Sequence, residues 1–172
     1  YYMVLLIADQ FTSNIVIHSF GYKIQDGSLS GELIRPIHPL LTNGLVNNIA
    51  FKMLTIMGLL PIWIILFFLY KPDFSGISLT GIALAIPAMI MAFFTGYLLS
   101  AAITSLAFWT TRVYSIHEFY YALILLFSGQ FVPLTLMPQI VQDIAQYLPF
   151  QLLIYYPVQL ILGKLSSTQI MQ

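Results

Sequence analysis

From Met53 to Tyr70 the chain carries no charged side chain, and residues 77 to 107 carry none either. A helix needs about 20 apolar residues to cross a bilayer core, where the backbone must satisfy its own hydrogen bonds because no water is present. Two uncharged stretches of this length commit the chain to helices in lipid. Composition agrees, with 59% hydrophobic and 7% charged residues, against roughly 25% charged in an average soluble domain. Mean hydropathy is +0.89. One soluble domain with a large core is the competing reading, and so few charges could not cover its surface. The expected class is an integral membrane protein. Its expected fold is all-α: a polytopic transmembrane helical bundle with short broken re-entrant or interfacial helices.

Formal net charge is zero, which argues against a nucleic-acid partner or a polybasic lipid clamp. There are no cysteines, so disulfides and thiolate metal sites are excluded. The chain opens on YYMVLLIA with no charged region ahead of it, and it closes on SSTQIMQ. This reads as a helix entered partway along, so the chain is expected to be an internal piece of a longer polypeptide.

Residues 1–172 are read as a single, incomplete transmembrane domain. Spans are expected at about 1–20, 45–70, 77–107 and 115–132. The first has polar interruptions at Asp9, Gln10, Thr12, Ser13, Asn14 and His18, and the second has Asn47, Asn48 and Lys52 at one end. KPDFSG, residues 71–76, has loop composition. Pro87 is expected to kink the third span. Trp109 and Tyr114 in the following link fit a headgroup layer. Ser115 stands three residues before Glu118, a spacing that predicts a capping box at the start of the fourth helix. Pro133 is expected to stop that helix.

Residues 133–165 behave differently. Prolines at 133, 138, 149 and 157 cut them into pieces too short to cross. Between Pro138 and Pro149, Ile140, Val141, Ile144 and Leu148 share one helical face. Gln139, Gln142, Asp143 and Gln146 share the other, as in a helix lying at an interface. FQLLIYYPVQLIL is broken by Pro157, and its ~13 residues reach about 20 Å.

Four of the twelve Asp, Glu, Lys and Arg residues, Lys23, Asp26, Glu32 and Arg35, fall within thirteen positions between two apolar segments. Asp26-Gly27 supplies a turn. Leu29, Leu33 and Ile34 give a short apolar face, Glu32 and Arg35 offer rim charges, and Pro36 ends the helix. If segment 21–40 is cytoplasmic, alternation puts Lys23, Arg35, Lys52 and Arg112 inside and Lys71 and Lys164 outside, in accord with the positive-inside rule.

Catalytic and nucleotide motifs are missing. The only Gly-Lys pair, Gly163-Lys164, is followed by Leu165, so no phosphate loop is formed. His117-Glu118 begins like HExxH, but position 121 is Tyr and the second zinc ligand is absent. The histidines at 18, 38 and 117 read as interfacial residues at three separate membrane-edge positions. Asp9, ionisable within a span, marks a functional path by default; the alternatives are a place near an interface or a bond to Ser13. Ala88, Ala92, Gly96, Ser100 and Thr104 repeat every four residues and form a ridge of small side chains. Such a ridge allows close helix approach in lipid. Packing inside one subunit is the favoured reading, and a dimer contact or pore wall is the other.

The run GSLSGELIRPIHPL, residues 27–40, continuing through the second span, resembles the cytoplasmic segment of ABC transporter permeases of the type-2 export class. AFWT at 107–110, SGQFVPLTLMP at 128–138 and LPFQLLIYYPVQLILGKLS at 148–166 resemble that class too, so the likeness covers essentially the whole chain in order. Where the class often has a hydrophobic-Phe-Pro run after SGxxVPL, this chain has Leu136-Met137-Pro138, a volume-conserving difference. The resemblance implies six spans in a full subunit. This chain would hold part of the second, then the third, fourth and fifth, and the paired extracellular helices before the sixth.

It further implies a permease subunit of an ATP-driven exporter in a bacterial-type cytoplasmic (inner) membrane. No cofactor is expected on this chain; ATP and Mg would sit on a separate ABC ATPase partner. A second permease subunit, identical or related, would complete a dimer. ATPase coupling is implied at Gly27, Leu29, Glu32, Leu33, Arg35 and Pro36, a helix-packing or path role at Ala88, Ala92, Gly96, Ser100 and Thr104, and an outer gate at Pro133, Pro138, Pro149 and Pro157. Two rivals stand beside this. One is an ion-coupled secondary transporter or channel using Asp9 and the broken helices. The other is an intramembrane lipid-modifying enzyme, which requires His, Asp or Glu to converge at one depth.

Overall fold

A computed structural model describes residues 1–70 and 79–163. The loop expected at 71–76, Lys71, Lys164 and the end of the broken segment at 164–165 lie outside the described residues. Among those residues the chain is all-helical, with no strand. Three stretches are long and apolar enough to cross a membrane: Tyr2–Gln25, Leu40–Tyr70 and Thr80–Phe108. This is a helical bundle built for lipid.

The first stretch is not one helix. Helix α1 (Tyr2–Thr12) stops, residues 13–15 are non-helical, and helical structure resumes as a wide π turn (Ile17–Gly21) running into α2 (Tyr22–Gln25). Neither Pro nor Gly stands at the interruption. The freed Ile15 N–H is taken instead by Asn48 Oδ1 at 3.1 Å. Past the short helix α3 (Ser30–Leu33), a second π turn (Leu40–Val46) leads into α4 (Asn47–Tyr70). Pro61 lies inside α4, and Pro87 inside the long helix α5 (Leu79–Ser105).

Helix α6 (Val113–Phe127) begins two residues before the expected cap. Ser115 is therefore inside its first turn, and the local bond there runs from the Arg112 N–H to Thr110 Oγ1 at 3.1 Å. The capping box is not at the N-cap. The helix also ends earlier than Pro133: Gly129, at φ 75°, turns the chain out. A left-handed residue after the last turn is a standard helix stop, and glycine adopts it without steric cost. With 15 residues α6 is about 22 Å long.

The proline-rich segment forms a 3₁₀ turn (Leu134–Leu136), α7 (Gln139–Ala145), α8 (Phe150–Leu153) and α9 (Tyr155–Ile161). Pro133, Pro138 and Pro149 each stand just before one of these pieces, where a missing N–H costs nothing. Pro157 acts at a distance of one turn. It cannot donate to the Leu153 carbonyl and its ring crowds that position, so the helix breaks at Ile154, with φ −135° and ψ −47°.

The described residues divide into two compact units, one of 1–12, 79–95 and 121–163, the other of 13–70 and 96–120. In the first, α1 packs on α9, the Tyr1 hydroxyl donates to the Gly129 carbonyl at 2.7 Å, and Phe127 stacks on Phe150. In the second, Val16, Phe20, Leu29, Tyr97 and Ala101 form the core, with Ile24, Leu40 and Leu45 against it.

Candidate functional site

The charged segment folds into an elbow on the second unit. Asp26 Oδ1 accepts the Ser28 N–H at 2.9 Å and the Ser28 hydroxyl at 2.7 Å. These bonds hold its carboxyl below the usual aspartate range. Gly27 comes next at φ 78°, a conformation that favours glycine. The Ser30 hydroxyl donates to the Gly27 carbonyl at 2.9 Å. The chain thus reverses through local bonds between neighbouring polar residues, as Asp-Gly composition predicts.

Beyond this turn the expected apolar face divides in two. Leu29 turns inward into the core beside Phe20 and Tyr97. Burying a side chain of that size contributes about 1.5–3 kcal/mol. Leu33, Ile34 and Ile37 remain 64%, 87% and 53% exposed. Arg35, Pro36 and His38 are exposed beside them. Helix α3 is a single turn ending before Pro36.

Glu32 is not placed as a rim charge. It is partly buried, with Lys23 Nζ on Oε1 and Asn43 Nδ2 on Oε2. The Lys23 bond first, and the Asn43 bond after it, hold the Glu32 carboxyl below the ordinary glutamate range. Lys23 Nζ also donates to Asn43 Oδ1 at 2.7 Å, and the Ser19 hydroxyl donates to the Asn43 carbonyl. Asn43 is 2% exposed. Tyr97 completes the support from α5, donating its hydroxyl to the Leu40 carbonyl at 2.8 Å. Sequence reading does not single out Asn43; the one available signal is a polar residue beside Gly44 ahead of an apolar span.

The small-residue ridge lies on α5. Ala88 and Ala92, in the first unit, are half-buried and buried; Gly96, Ser100 and Thr104, in the second, are all buried. Thr104 packs on the helix that carries Gly21, where an added Cβ would meet Thr104 Cγ2 at 3.2 Å. Its hydroxyl donates to the Ser100 carbonyl at 2.7 Å. In the broken segment Pro157 is buried and Pro138 exposed, while Pro133 and Pro149 are intermediate. Ile140 and Ile144 face outward from α7, whose buried residue is Ala145. Asp9 is half-buried on α1.

The histidines are not all separate. His18 and His117 meet with ring centroids 6.0 Å apart, flanked by Tyr114 at 6.3 Å from His18 and Tyr120 at 6.0 Å from His117. Residues nearly a hundred positions apart become neighbours because two helices pack, which spacing along the chain cannot reveal. His38 lies on the elbow. No group of three or more His, Cys, Asp or Glu able to hold a metal occurs among the described residues.

A second buried polar pair braces the start of α4. Asn48 Nδ2 donates to the Gly44 carbonyl at 2.9 Å while its Oδ1 serves Ile15. Lys52, also buried, reaches the Ser13 hydroxyl at 3.3 Å. The elbow is thus a polar turn braced on apolar helices. Neither curated proteins nor solved structures returned a match to the chain. The family model for the ABC-2 family transporter protein matches residues 1–172. With three stretches of membrane-crossing length among the described residues and a match along its whole extent, this integral membrane protein belongs to the ABC-2 family of transporters, as a permease component.

Proposed function

We propose that this subunit is the moving wall of an ATP-driven exporter in a bacterial-type cytoplasmic membrane. A separate ATPase, carrying ATP and Mg, grips the elbow from the cytoplasmic side. Two permease subunits, identical or related, pair and enclose the path, and the broken helices from Pro133 to Gly163 shape its outer end. The observation that carries the reading is the elbow's outward face. Leu33, Ile34 and Ile37 are exposed beside Arg35, on a segment tied down by Lys23, Glu32 and Asn43. Transmitting force requires apolar anchors on a stiff support, and one flanking charge fixes register and partner choice.

The test is reconstitution of the full-length subunit with its ATPase in liposomes. Ile34→Asp places a charge at the centre of the face and should abolish ATPase capture. Arg35→Glu should reduce the association rate and its salt dependence. Wild-type ATPase coupling and transport in both variants would overturn the docking role. Transport driven by an ion gradient, with no hydrolase in the preparation, would overturn the exporter.

A further inference from the structure

Three side chains from three separate elements converge on one residue, Asn43. Asn43 Oδ1 accepts from Lys23 Nζ, Asn43 Nδ2 donates to Glu32 Oε2, and the Asn43 main-chain carbonyl accepts from Ser19. Lys23 also reaches Glu32 directly, closing a ring of three side chains. The amide has only one workable orientation. An ammonium has no acceptor to offer and a carboxylate no donor, so the oxygen must face Lys23 and the nitrogen must face Glu32. Being buried, Asn43 does not present itself to any partner; being bonded at both its oxygen and its nitrogen, it leaves the elbow one attitude.

We infer that Asn43 is the positioning residue of the elbow. It fixes how residues 26 to 38 stand against the turn that opens α4, with Glu32 and Lys23 as its two counterparts. On the docking reading above, the face of Leu33, Ile34 and Ile37 meets the ATPase only in that attitude. Glu32 thus acts through Asn43 and not by touching the partner. Tyr97, hydrogen-bonded to Leu40, fixes the same turn to α5, so the elbow is referred to a long helix and not to a loose connection.

The test exploits the donor and acceptor pattern, which a role of volume alone would not follow. Asn43→Asp removes the donor to Glu32 and sets two carboxylates face to face. Glu32→Gln puts an amide N–H₂ where each of its two partners, Lys23 and Asn43, is a donor. The double variant, Asn43→Asp with Glu32→Gln, restores one carboxylate, one amide and one ammonium in a complementary ring. Amide hydrogen exchange of residues 27–38 is measured in the full-length subunit in nanodiscs. Each single variant should exchange at least about tenfold faster, since bonds to charged groups are the stronger class. The double variant should return to within about threefold of wild type, because the two positions are coupled.

Wild-type exchange in either single variant, or a double variant no slower than the singles, overturns the inference. If Asn43→Asp does not fold, Glu32→Gln and its rescue still decide. ATPase capture by the same variants is a separate arm. Exchange that follows the pattern while capture ignores it upholds the clamp and overturns the docking reading.

Discussion

Tyr97 occupies the space that a side chain on Gly44 would need: a Cβ there would lie 2.5 Å from the phenol oxygen and 2.7 Å from Cε2. The ring itself is anchored through its hydroxyl to Leu40. Gly44→Ala must therefore displace Tyr97 and strain that bond. Overpacking of this kind costs about 1–3 kcal/mol. Gly58→Ala is the control, since nothing lies within 4 Å of its Cβ position and alanine favours a helix interior by about 1 kcal/mol. Thermal unfolding of the purified subunit should separate the two in opposite directions. Equal stability in both would show that the contact is not there.

Asn48 does the work of a helical carbonyl for Ile15. Asn48→Ala leaves a backbone N–H unserved beside an apolar segment, and the expected loss is about 1–3 kcal/mol. Asn48→Asp keeps the acceptor but not the bond to Gly44, so its loss should fall between alanine and wild type. The readout is again thermal unfolding, with exchange at Ile15 as the local marker. An alanine variant as stable as wild type contradicts the assignment.

Gly129 and Gly27 both have positive φ, 75° and 78°, yet they should respond differently. An added methyl at Gly27 meets open space; at Gly129 it would lie 3.0 Å from Tyr155 Cδ2 and 3.2 Å from the Tyr1 hydroxyl. Gly27→Ala should cost about 1–2 kcal/mol of conformational strain alone. Gly129→Ala adds the crowding and disturbs the Tyr1 bond, for a total of about 2–4 kcal/mol. Unfolding midpoints that rank them the other way would reject the packing around Gly129.

The elbow should loosen in acid. Glu32 is held below its ordinary value of 4.5 by Lys23 and then Asn43. A carboxyl whose folded value is depressed contributes order that is complete above the unfolded value and is lost as pH falls through the folded one. A spin label at Ile34→Cys, on the most exposed residue of the face, reports this directly. Its mobility should stay flat from neutral pH down to about 4.5 and rise below it. In a Glu32→Gln background the label should be mobile throughout, with no step. A step shared by both proteins would assign the transition to another group.

Much of this molecule is legible from the chain alone. Helices long and apolar enough to cross a membrane are legible in the stretches Leu40–Tyr70 and Thr80–Phe108, since hydropathy is a local sum that needs no knowledge of neighbours. The short pieces after Pro133 follow from proline chemistry, which is local too. The turn at Asp26-Gly27 is of the same kind.

Other features depend on residues distant in sequence. The interruption at residues 13–15 has neither Pro nor Gly in it, and the bond that serves its Ile15 N–H comes from Asn48, 33 positions away. Leu29 and Leu33 look alike in the sequence, yet packing against Phe20 and Tyr97 buries one and leaves the other outside. Glu32 has the spacing of a rim charge, but Asn43 and Lys23 enclose it. His18 and His117 become neighbours only through helix packing. The amino-acid sequence by itself determined which stretches are apolar enough to cross a membrane and where the chain must turn, because transfer free energy and backbone sterics act residue by residue. Tertiary structure decided which polar groups face one another, because a hydrogen bond spans about 3 Å and sequence separation says nothing about that distance.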